Sequence, residues 1–423
     1  VGRLKFLPVA SMQMRSMGSR SGIRALSLIL ALVAGALVPT GCGDSSGDGG
    51  SEASPAGPGL VAWPFFGRIP ERTHYLPERR RALDPPLRRA WTISTHALIE
   101  FPPAVANGIA YVVDKFGNAK AVRLRDRKVL WERITDPRNS GKPTDVTAPV
   151  YHRGMVFFVY VDGHVVAADA KTGKPVWTRR LPGHLESSPM AVGGRLYLGT
   201  DTTNVVALRA SDGTVLWQFN SPGAIKASPS YHDGRVYVAD YEGGMFCLDA
   251  RSGRLLWRTN TTRVPPFGEG GFYSSPAVAF GRVYAGRDDG TIFAFDAETG
   301  RVEWSFPTNN FVYGSPAVAR VPGTPPTVYI GSYDEHLYAL DARTGKREWR
   351  YDVGGPVPGT ATVIGHTVYT SSFKTREAIG IDVRTHRRTF HMRQAGYTPM
   401  VSDGRRLYLI GYYVLIGLQP TQG

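Results

Sequence analysis

From residue 103 onward, short runs of alternating apolar and polar residues recur, broken by Gly, Asp and Asn. A period of two sends every second side chain to one face, which is the pattern of a half-buried β-strand. A clear copy is SSPAVAFGRVYAGRDDGTIFAFDAETGRVEW, residues 274–304. It predicts strands over 276–280, 283–286 and 291–296, and a fourth that carries Trp304. Gly281-Arg282 makes the first turn. Asp289-Gly290 suits a tight hairpin, which needs positive φ. Glu298-Thr299-Gly300 makes the third turn, with Gly in the left-handed position. No 3.6-residue periodicity persists between the turns, so helix has little place.

Further copies open at Pro149, Pro189, Pro229 and Pro316, weaker ones at Pro103 and Ala361, and a truncated one at Pro399. The step from opening Pro to closing Trp is 28 residues in five successive copies. Closing aromatics stand at Trp91, Trp131, Trp177, Trp217, Trp257, Trp304, Trp349 and Phe390, spaced by 40 to 47 residues. That spacing is the length of a four-stranded propeller blade. Ten residues before each aromatic from Trp131 on lies a small residue: Ala121, Ala167, Ala207, Cys247, Ala294, Ala339 and Gly380. A bulky ring wedged between blades needs such a shallow floor, and Cys247 reads as a small buried hydrophobe rather than a reactive thiol. The last copy has three strands, with Gly417 in the small position, and then stops. Trp91 conversely has no repeat before it. Residues 88–94 are therefore expected to supply the missing outer strand of the last blade, which leaves no free sheet edge. The prediction is all-β: an eight-bladed β-propeller of four-stranded antiparallel blades spanning 63–423.

Composition adds turns, charge and an address. Gly numbers 49 and Pro 31 among 423 residues. The net charge is +15, with five of the basic residues and no acid in 1–41. No basic run is interleaved with stacking aromatics, so no nucleic-acid partner is expected. Within 17–42, Arg20 and Arg24 precede an apolar run over 25–38. The run is short of the roughly twenty residues that span a bilayer, and it suits a signal-peptide core. It ends Val38-Pro39-Thr40-Gly41-Cys42, which resembles a bacterial lipobox, and the resemblance implies a lipid on Cys42. Residues 43–62 then read as a flexible linker. The expectation is an exported domain tethered to the cell membrane or outer membrane, facing the periplasm or the cell exterior. Two cysteines, Cys42 and Cys247, cannot make a disulfide framework, a zinc site or a CxxC pair. The ten histidines show no HExxH motif or metal-ligand spacing, and there is no GxSxG or phosphate loop. No catalytic residue, metal or cofactor site is predicted on these grounds.

The pattern Ala-x-Asp-x-x-Thr-Gly-x-x-x-Trp stands at Ala167-Asp169-Thr172-Gly173-Trp177, Ala294-Asp296-Thr299-Gly300-Trp304 and Ala339-Asp341-Thr344-Gly345-Trp349. It resembles the tryptophan-docking motif of pyrroloquinoline-quinone-type (PQQ-type) repeats. Trp63-Pro64-Phe65-Phe66-Gly67 and Arg72-Thr73-His74-Tyr75 look like the opening segment of such proteins. The pattern departs at Arg123 and Arg127, at Arg209, and at His386 and Phe390, so those blades are expected to pack less regularly. The resemblance implies one of two kinds of protein. Quinone-dependent alcohol and sugar dehydrogenases are larger, and many carry a vicinal cysteine pair and a Glu/Asn/Asp calcium site. The propeller lipoprotein type of the outer-membrane protein assembly (Bam) complex is a non-enzymatic scaffold. With no Cys-Cys and a lipobox-like leader, this chain is expected to be a monomeric, membrane-anchored scaffold. It would bind a protein or cell-envelope partner on one propeller face. The alternatives are a PQQ-dependent dehydrogenase and an exported carbohydrate- or ligand-binding propeller.

Loop lengths select the face. The step from Trp to the next Pro is 12 residues for most blades, but 18 before Pro149 and 19 before Pro276. With the second-to-third hairpins these loops predict a binding face carrying Tyr241, Glu242, Glu269, Phe272, Tyr273, Asp288, Asp289, Tyr333, Asp334 and Glu335. Asp288 and Asp289 are expected to point to opposite sides, and the insert at 321–326 lies on the opposite face.

Overall fold

The strand-and-turn grammar of the repeat is realised eight times. The computed structural model describes residues 62–77, 83–136, 144–263, 270–393 and 400–421. Cys42, with the leader and most of the linker, and Glu269 lie outside these residues. Blade 5 shows the pattern: Ala277–Ala279, Arg282–Gly286, Thr291–Asp296 and Val302–Pro307, in antiparallel order from the channel outward. Blades 1 to 7 run consecutively along the chain. Blade 8 joins Val401–Ser402, Leu407–Gly411 and Val414–Pro420 to Leu87–Ser94, with Trp91 opposite Gly417. An outer strand from before the first repeat thus completes the last blade, as expected.

The small-residue column does what steric reasoning requires. Ala121 lies between Tyr111 on the second strand and Trp131 on the outer strand, paired with both. A Cβ on Gly417 would stand 2.4 Å from Trp91 Cε2. Each indole also crosses into the next blade. Trp131, Trp177, Trp217, Trp257 and Trp304 donate Nε1–H to the carbonyls of Ala170, Ala210, Ala250, Ala297 and Ala342 at 2.9–3.2 Å. Three of those carbonyls accept a second bond from the same neighbour, from the hydroxyls of Tyr197, Tyr237 and Tyr284. The turn that offers the carbonyl is shaped by its Asp: Asp296 Oδ1 accepts both the amide and the hydroxyl of Thr299. The Gly that follows has positive φ and lies under the neighbour's indole, so that a Cβ on Gly300 would meet Trp257 at 2.4 Å. Cys247 is buried opposite Trp257, and burial pushes its thiol up to about 12.

The departures from the motif have local consequences. Arg123 and Arg209 replace the turn Asp and pair with Asp126 and Asp212 three residues on. His386, at φ 58°, replaces the turn Gly of blade 7, and its ring lies 5.0 Å from Trp349. Among the described residues, no indole–carbonyl bond joins Trp349 to blade 7.

One feature is absent from the repeat pattern. Residues 63–76 run along the inner edges of the blades and plug the channel. Main-chain N–H groups of Val105, Tyr151, Tyr231, Val278, Val318 and Val363, each the second residue of an inner strand, donate to the carbonyls of Trp63, Pro64, Pro70, Glu71, Thr73 and His74. Tyr75–Leu76 then adds a parallel fifth strand inside blade 7. Inner edges otherwise present unpaired donors, which are costly to bury. Blade 3 is met by Arg72, whose guanidinium donates to Ser188 O at 3.0 Å and Pro189 O at 3.1 Å. It also donates to Pro229 O and Phe66 O. Gly67, Arg68, Arg72 and His74 all have positive φ, which lets the segment wind round the axis. Arg72 is fully buried, and burial pulls it down to about 9, which leaves it charged at neutral pH.

Two predictions follow from this packing. Gly281 has φ 72° with nothing within 4 Å of a Cβ, so Gly281→Ala carries only the backbone penalty, about 1 kcal/mol. Gly300→Ala adds the collision with Trp257 and should cost about 2 kcal/mol more in urea denaturation. His74 is fully buried and held down to about 3 by desolvation and by Arg72. Its folded value lies below its unfolded one, so the unfolded chain binds the extra proton. The stability due to the neutral ring is complete above pH 6.5 and is lost on acidification towards pH 3, at up to about 1.4 kcal/mol per pH unit. The thermal midpoint should fall over that window, and His74→Phe should flatten the fall.

Candidate functional site

The plug closes one end of the channel, and the loops leading into the inner strands frame the other. In blades 2 to 7 the residue three before the second position of the inner strand forms a belt round the channel. Ser188, Ser228, Ser275, Ser315 and Thr360 each accept, through the side-chain hydroxyl, the amide of the equivalent residue one blade earlier. The donors are Ala148, Ser188, Ser228, Ser275 and Ser315, at 2.9–3.2 Å. Three residues of strand put belt and plug about 10 Å apart along the channel. Arg72, bonded at Ser188 and Pro229 and fully buried, brings positive charge up to the belt.

Two residues upstream of the belt stand Glu186, Lys226, Tyr273 and Tyr313. Lys226 Nζ is 3.4 Å from Glu186 Oε1, and the Tyr273 hydroxyl donates to Glu186 Oε2 at 3.1 Å. The same ammonium lies 5.0 Å from the Tyr241 ring centroid and 5.9 Å from that of Tyr273. Tyr273 and Tyr313 are 5.4 Å apart; Tyr313 and Tyr333 meet edge to face at 5.2 Å; Phe311 stacks on Tyr313 at 5.5 Å. Tyr241, Tyr273 and Phe311 are 37%, 41% and 44% exposed. Four rings in contact, with Tyr241 bridged to Tyr273 by the Lys226 ammonium, therefore form a wall over blades 4 to 6 that is exposed to solvent. Burial pushes the hydroxyls of Tyr241 and Tyr333 up to about 12, with Asp288 adding to the effect at Tyr241. The wall is neutral at any physiological pH. Asp288 is half-buried beside Tyr241 and accepts the Gly271 amide at 2.7 Å, and burial raises its pKa.

The sequence-predicted residues divide three ways. Tyr241, Tyr273, Tyr333 and Asp288 converge on the wall, and Glu242 is exposed beside it. Asp289 turns the other way, to Arg287 and the Thr291 amide, so the two carboxylates diverge as anticipated. Asp334 is held by the Tyr338 hydroxyl at 2.6 Å and the Asn309 amide at 2.9 Å, and Glu335 faces Lys374 at 3.4 Å. Phe272 requires correction as a surface residue. It is fully buried, edge-on to Phe293 and Phe295, because its loop needs an apolar anchor, and it supports the wall from beneath. Sequence reading missed Glu186, Lys226, Phe311 and Tyr313. Their signal was positional: Glu186, Lys226, Tyr273 and Tyr313 share one register, two residues ahead of the Ser column.

These features define a closed eight-bladed propeller of PQQ-type repeats with a solvent-exposed aromatic cluster on one face. The family model described as outer membrane protein assembly factor BamB matches residues 81–224 and 203–415, and the chain belongs to that family. Relatives divide between two activities. The dehydrogenase subunit of the quinone alcohol dehydrogenase of Komagataeibacter europaeus is 33% identical over 163 residues, 36% of this chain and 22% of the relative. The outer membrane protein assembly factor BamB of Vibrio cholerae is 30% identical over 122 residues, 26% of this chain and 31% of the relative. The matches thus span well under half the length of these curated relatives. The crystal structure of BamB from Moraxella catarrhalis superposes with a TM-score of 0.64 at 16% identity, covering 80% of this chain and 98% of that one, which shows the shared fold.

The belt generates its own test. Ser275→Ala strips the buried Ser228 amide of its acceptor and should destabilise by about 1–3 kcal/mol, whereas Ser275→Thr keeps the bond. Amide hydrogen exchange at Ser228 should accelerate in the Ala variant alone.

Proposed function

We propose that this chain is a non-catalytic, membrane-anchored scaffold that binds a protein or cell-envelope partner through the face carrying the aromatic wall. The observation that carries this reading is the solvent-exposed cluster of Tyr241, Tyr273, Tyr313, Tyr333 and Phe311 on the face of the entry loops. Contiguous exposed aromatics mark interaction sites. Membership of the BamB family supports the same reading. In it, residues 1–42 are an exported leader ending at a lipidated Cys42, 43–62 are a tether, and 63–423 are a monomeric propeller. Several acyl chains would hold such an anchor firmly where one would not.

The competing reading is a quinone-dependent alcohol dehydrogenase, to which some of the sequence relatives point. The residues around the channel do not suit that chemistry. Cys247 is buried in a blade interface, away from any vicinal partner. Among the described residues, no three His, Cys, Asp or Glu side chains stand close enough together to hold a metal ion.

A photo-crosslinking amino acid at Phe311, in the full chain in native membranes, should give a discrete adduct. The same group at Pro322, in the insert on the opposite face, should give none. Equal adducts at both positions, or none at Phe311, would reject docking through this face. Dye reduction with an alcohol after addition of pyrroloquinoline quinone and calcium would replace the scaffold by the enzyme. Cys42→Ser should release the chain from the membrane fraction.

A further inference from the structure

Each outer strand carries one extra residue, a bulge, just before its closing aromatic. Pro175 and Trp177 pair with Ala168 and Ala167, so Val176 has no partner across the ladder. The equivalent residues are Leu130, Leu216 and Leu256 in blades 1, 3 and 4. In blades 5 to 8 the same place is filled by Glu303, Glu348, Thr389 and Ala90. The fold therefore accepts a charged, polar or small residue there, and does not itself require an aliphatic one in four successive blades. Leu130 and Leu216 are half-buried, but Val176 is 55% exposed and Leu256 36%. Val129 and Leu255, one residue before the bulge, are 41% and 39% exposed. In blade 5, by contrast, the bulge carries a carboxylate that meets Arg301 at 2.7 Å.

These strand ends follow the third-to-fourth turns, so they lie on the face opposite the aromatic cluster. The two faces differ in charge. The second-to-third hairpins of the aromatic face carry Asp162, Asp201, Glu242, Asp288, Asp334 and Glu335. On the opposite face, cations stand directly before the apolar pairs: Lys128-Val129-Leu130, Lys174-Pro175-Val176 and Arg254-Leu255-Leu256. Lys171 and Arg251 add to them from the same turns. All five cations are exposed, and among the described residues none takes part in an ion pair. The carboxylates nearest in sequence are already committed to their turns. Asp169 accepts the amide and hydroxyl of Thr172, and Asp249 those of Ser252.

Exposed aliphatic side chains flanked by cations without counter-ions match an anionic bilayer. The ammonium and guanidinium groups meet lipid phosphates, and the aliphatic tips reach the acyl boundary beneath them. Repetition favours a fluid surface over a shaped partner, because successive blades offer the same cation and apolar pair with no aromatic anchor among them. We infer that the rim made by the outer strands of blades 1 to 4 rests on a bilayer containing anionic phospholipid. The aromatic cluster then faces away from the membrane, towards its partner. This inference builds on the anchored reading above but has its own footing: a lipid on Cys42 tethers the chain whichever way it points, whereas the rim sets its orientation.

The test separates orientation from attachment. Val176→Cys, in the full chain carrying Cys42→Ser, is labelled with an environment-sensitive nitrobenzoxadiazole fluorophore; Cys247 is buried. Phe311→Cys in the same background places the label on the aromatic face. Each is mixed with vesicles of phosphatidylcholine alone, or of phosphatidylcholine with phosphatidylglycerol. With the mixed vesicles the label at 176 should shift to the blue and be quenched by a lipid-borne nitroxide, while the label at 311 stays unchanged. Lys128→Gln, Lys174→Gln and Arg254→Gln together should raise the lipid concentration for half the shift about tenfold, with the thermal midpoint unchanged. Leu256→Ser keeps the charges and should weaken docking several-fold. No shift at 176, equal shifts at both positions, an equal shift with phosphatidylcholine alone, or a shift that the Gln exchanges leave intact overturns the membrane-facing rim. The Phe311 crosslink and the release of Cys42→Ser can still succeed while the label at 176 stays unshifted, and that combination removes the rim alone.

Discussion

The fold depends on one directional interaction repeated around a circle. An indole from one blade donates to a turn carbonyl of the next and rests over that turn's left-handed Gly. Apolar burial alone would press the blades together without fixing their angle, because the hydrophobic effect is non-directional. The hydrogen bond fixes it, and in three blades a tyrosine hydroxyl from the same sheet reaches the same carbonyl. A carbonyl oxygen has two lone pairs, and here both are used between blades. The joint between blades 6 and 7, where Trp349 meets His386, is closed by other means. Tyr75–Leu76 adds a strand to blade 7, while the Tyr75 hydroxyl donates to Arg320 O of blade 6 at 3.0 Å. Arg384 of blade 7 donates to Pro322 O at 3.2 Å. The plug reinforces one of the joints at which, among the described residues, no indole–carbonyl bond is found.

That same plug lines the channel. Eight inner strands would otherwise line the channel with unpaired main-chain groups. Residues 63–76 satisfy six of those amides with their own carbonyls, and Arg72 reaches the blade 3 carbonyls at the belt. The segment is nonetheless irregular, with three non-Gly residues at positive φ. Such strain persists where surrounding contacts over-determine the path. The segment gives the molecule a direction, because the incoming loops and second-to-third hairpins gather on one face.

Most of the fold was legible because it repeats. Spacing alone located the closing aromatics, the small floor residues and the strand around Trp91 that completes blade 8, since each occupies a column repeated seven or more times. The plug was not legible. Its bonds run from irregular chain to seven different blades, and neither period nor propensity encodes a partner 200 residues away. The belt lay in plain sight as a Ser or Thr before the opening residues Pro189, Pro229, Pro276, Pro316 and Ala361, but the sequence reading did not single it out. At the site, Tyr241, Tyr273, Tyr333 and Asp288 were found from loop length and hairpin position. Phe272 and Tyr273 are adjacent in one loop, and composition does not say which faces out. The chemistry does, afterwards: the ring with a hydroxyl reaches Glu186, and the ring without one goes inside.

The last question is why rings on loops should make a competent recognition surface. Long loops lose conformational freedom on binding, which subtracts from affinity. These loops have already lost it. Tyr241 N–H donates to Ala224 O at 2.9 Å and Tyr333 N–H to Phe311 O at 2.9 Å, each stitching a hairpin of one blade to the loop before the next element. The hydroxyls of the belt then join successive blades directly beneath. Tyr and Phe side chains have few torsions left to fix, and four of the five rings are in contact with a neighbouring ring. The wall is therefore set by the scaffold before any partner arrives. The indole joints that close the ring are thereby also what holds Tyr273, Tyr313, Tyr333 and Phe311 at ring-contact distances, with Tyr241 bridged to Tyr273 by the Lys226 ammonium.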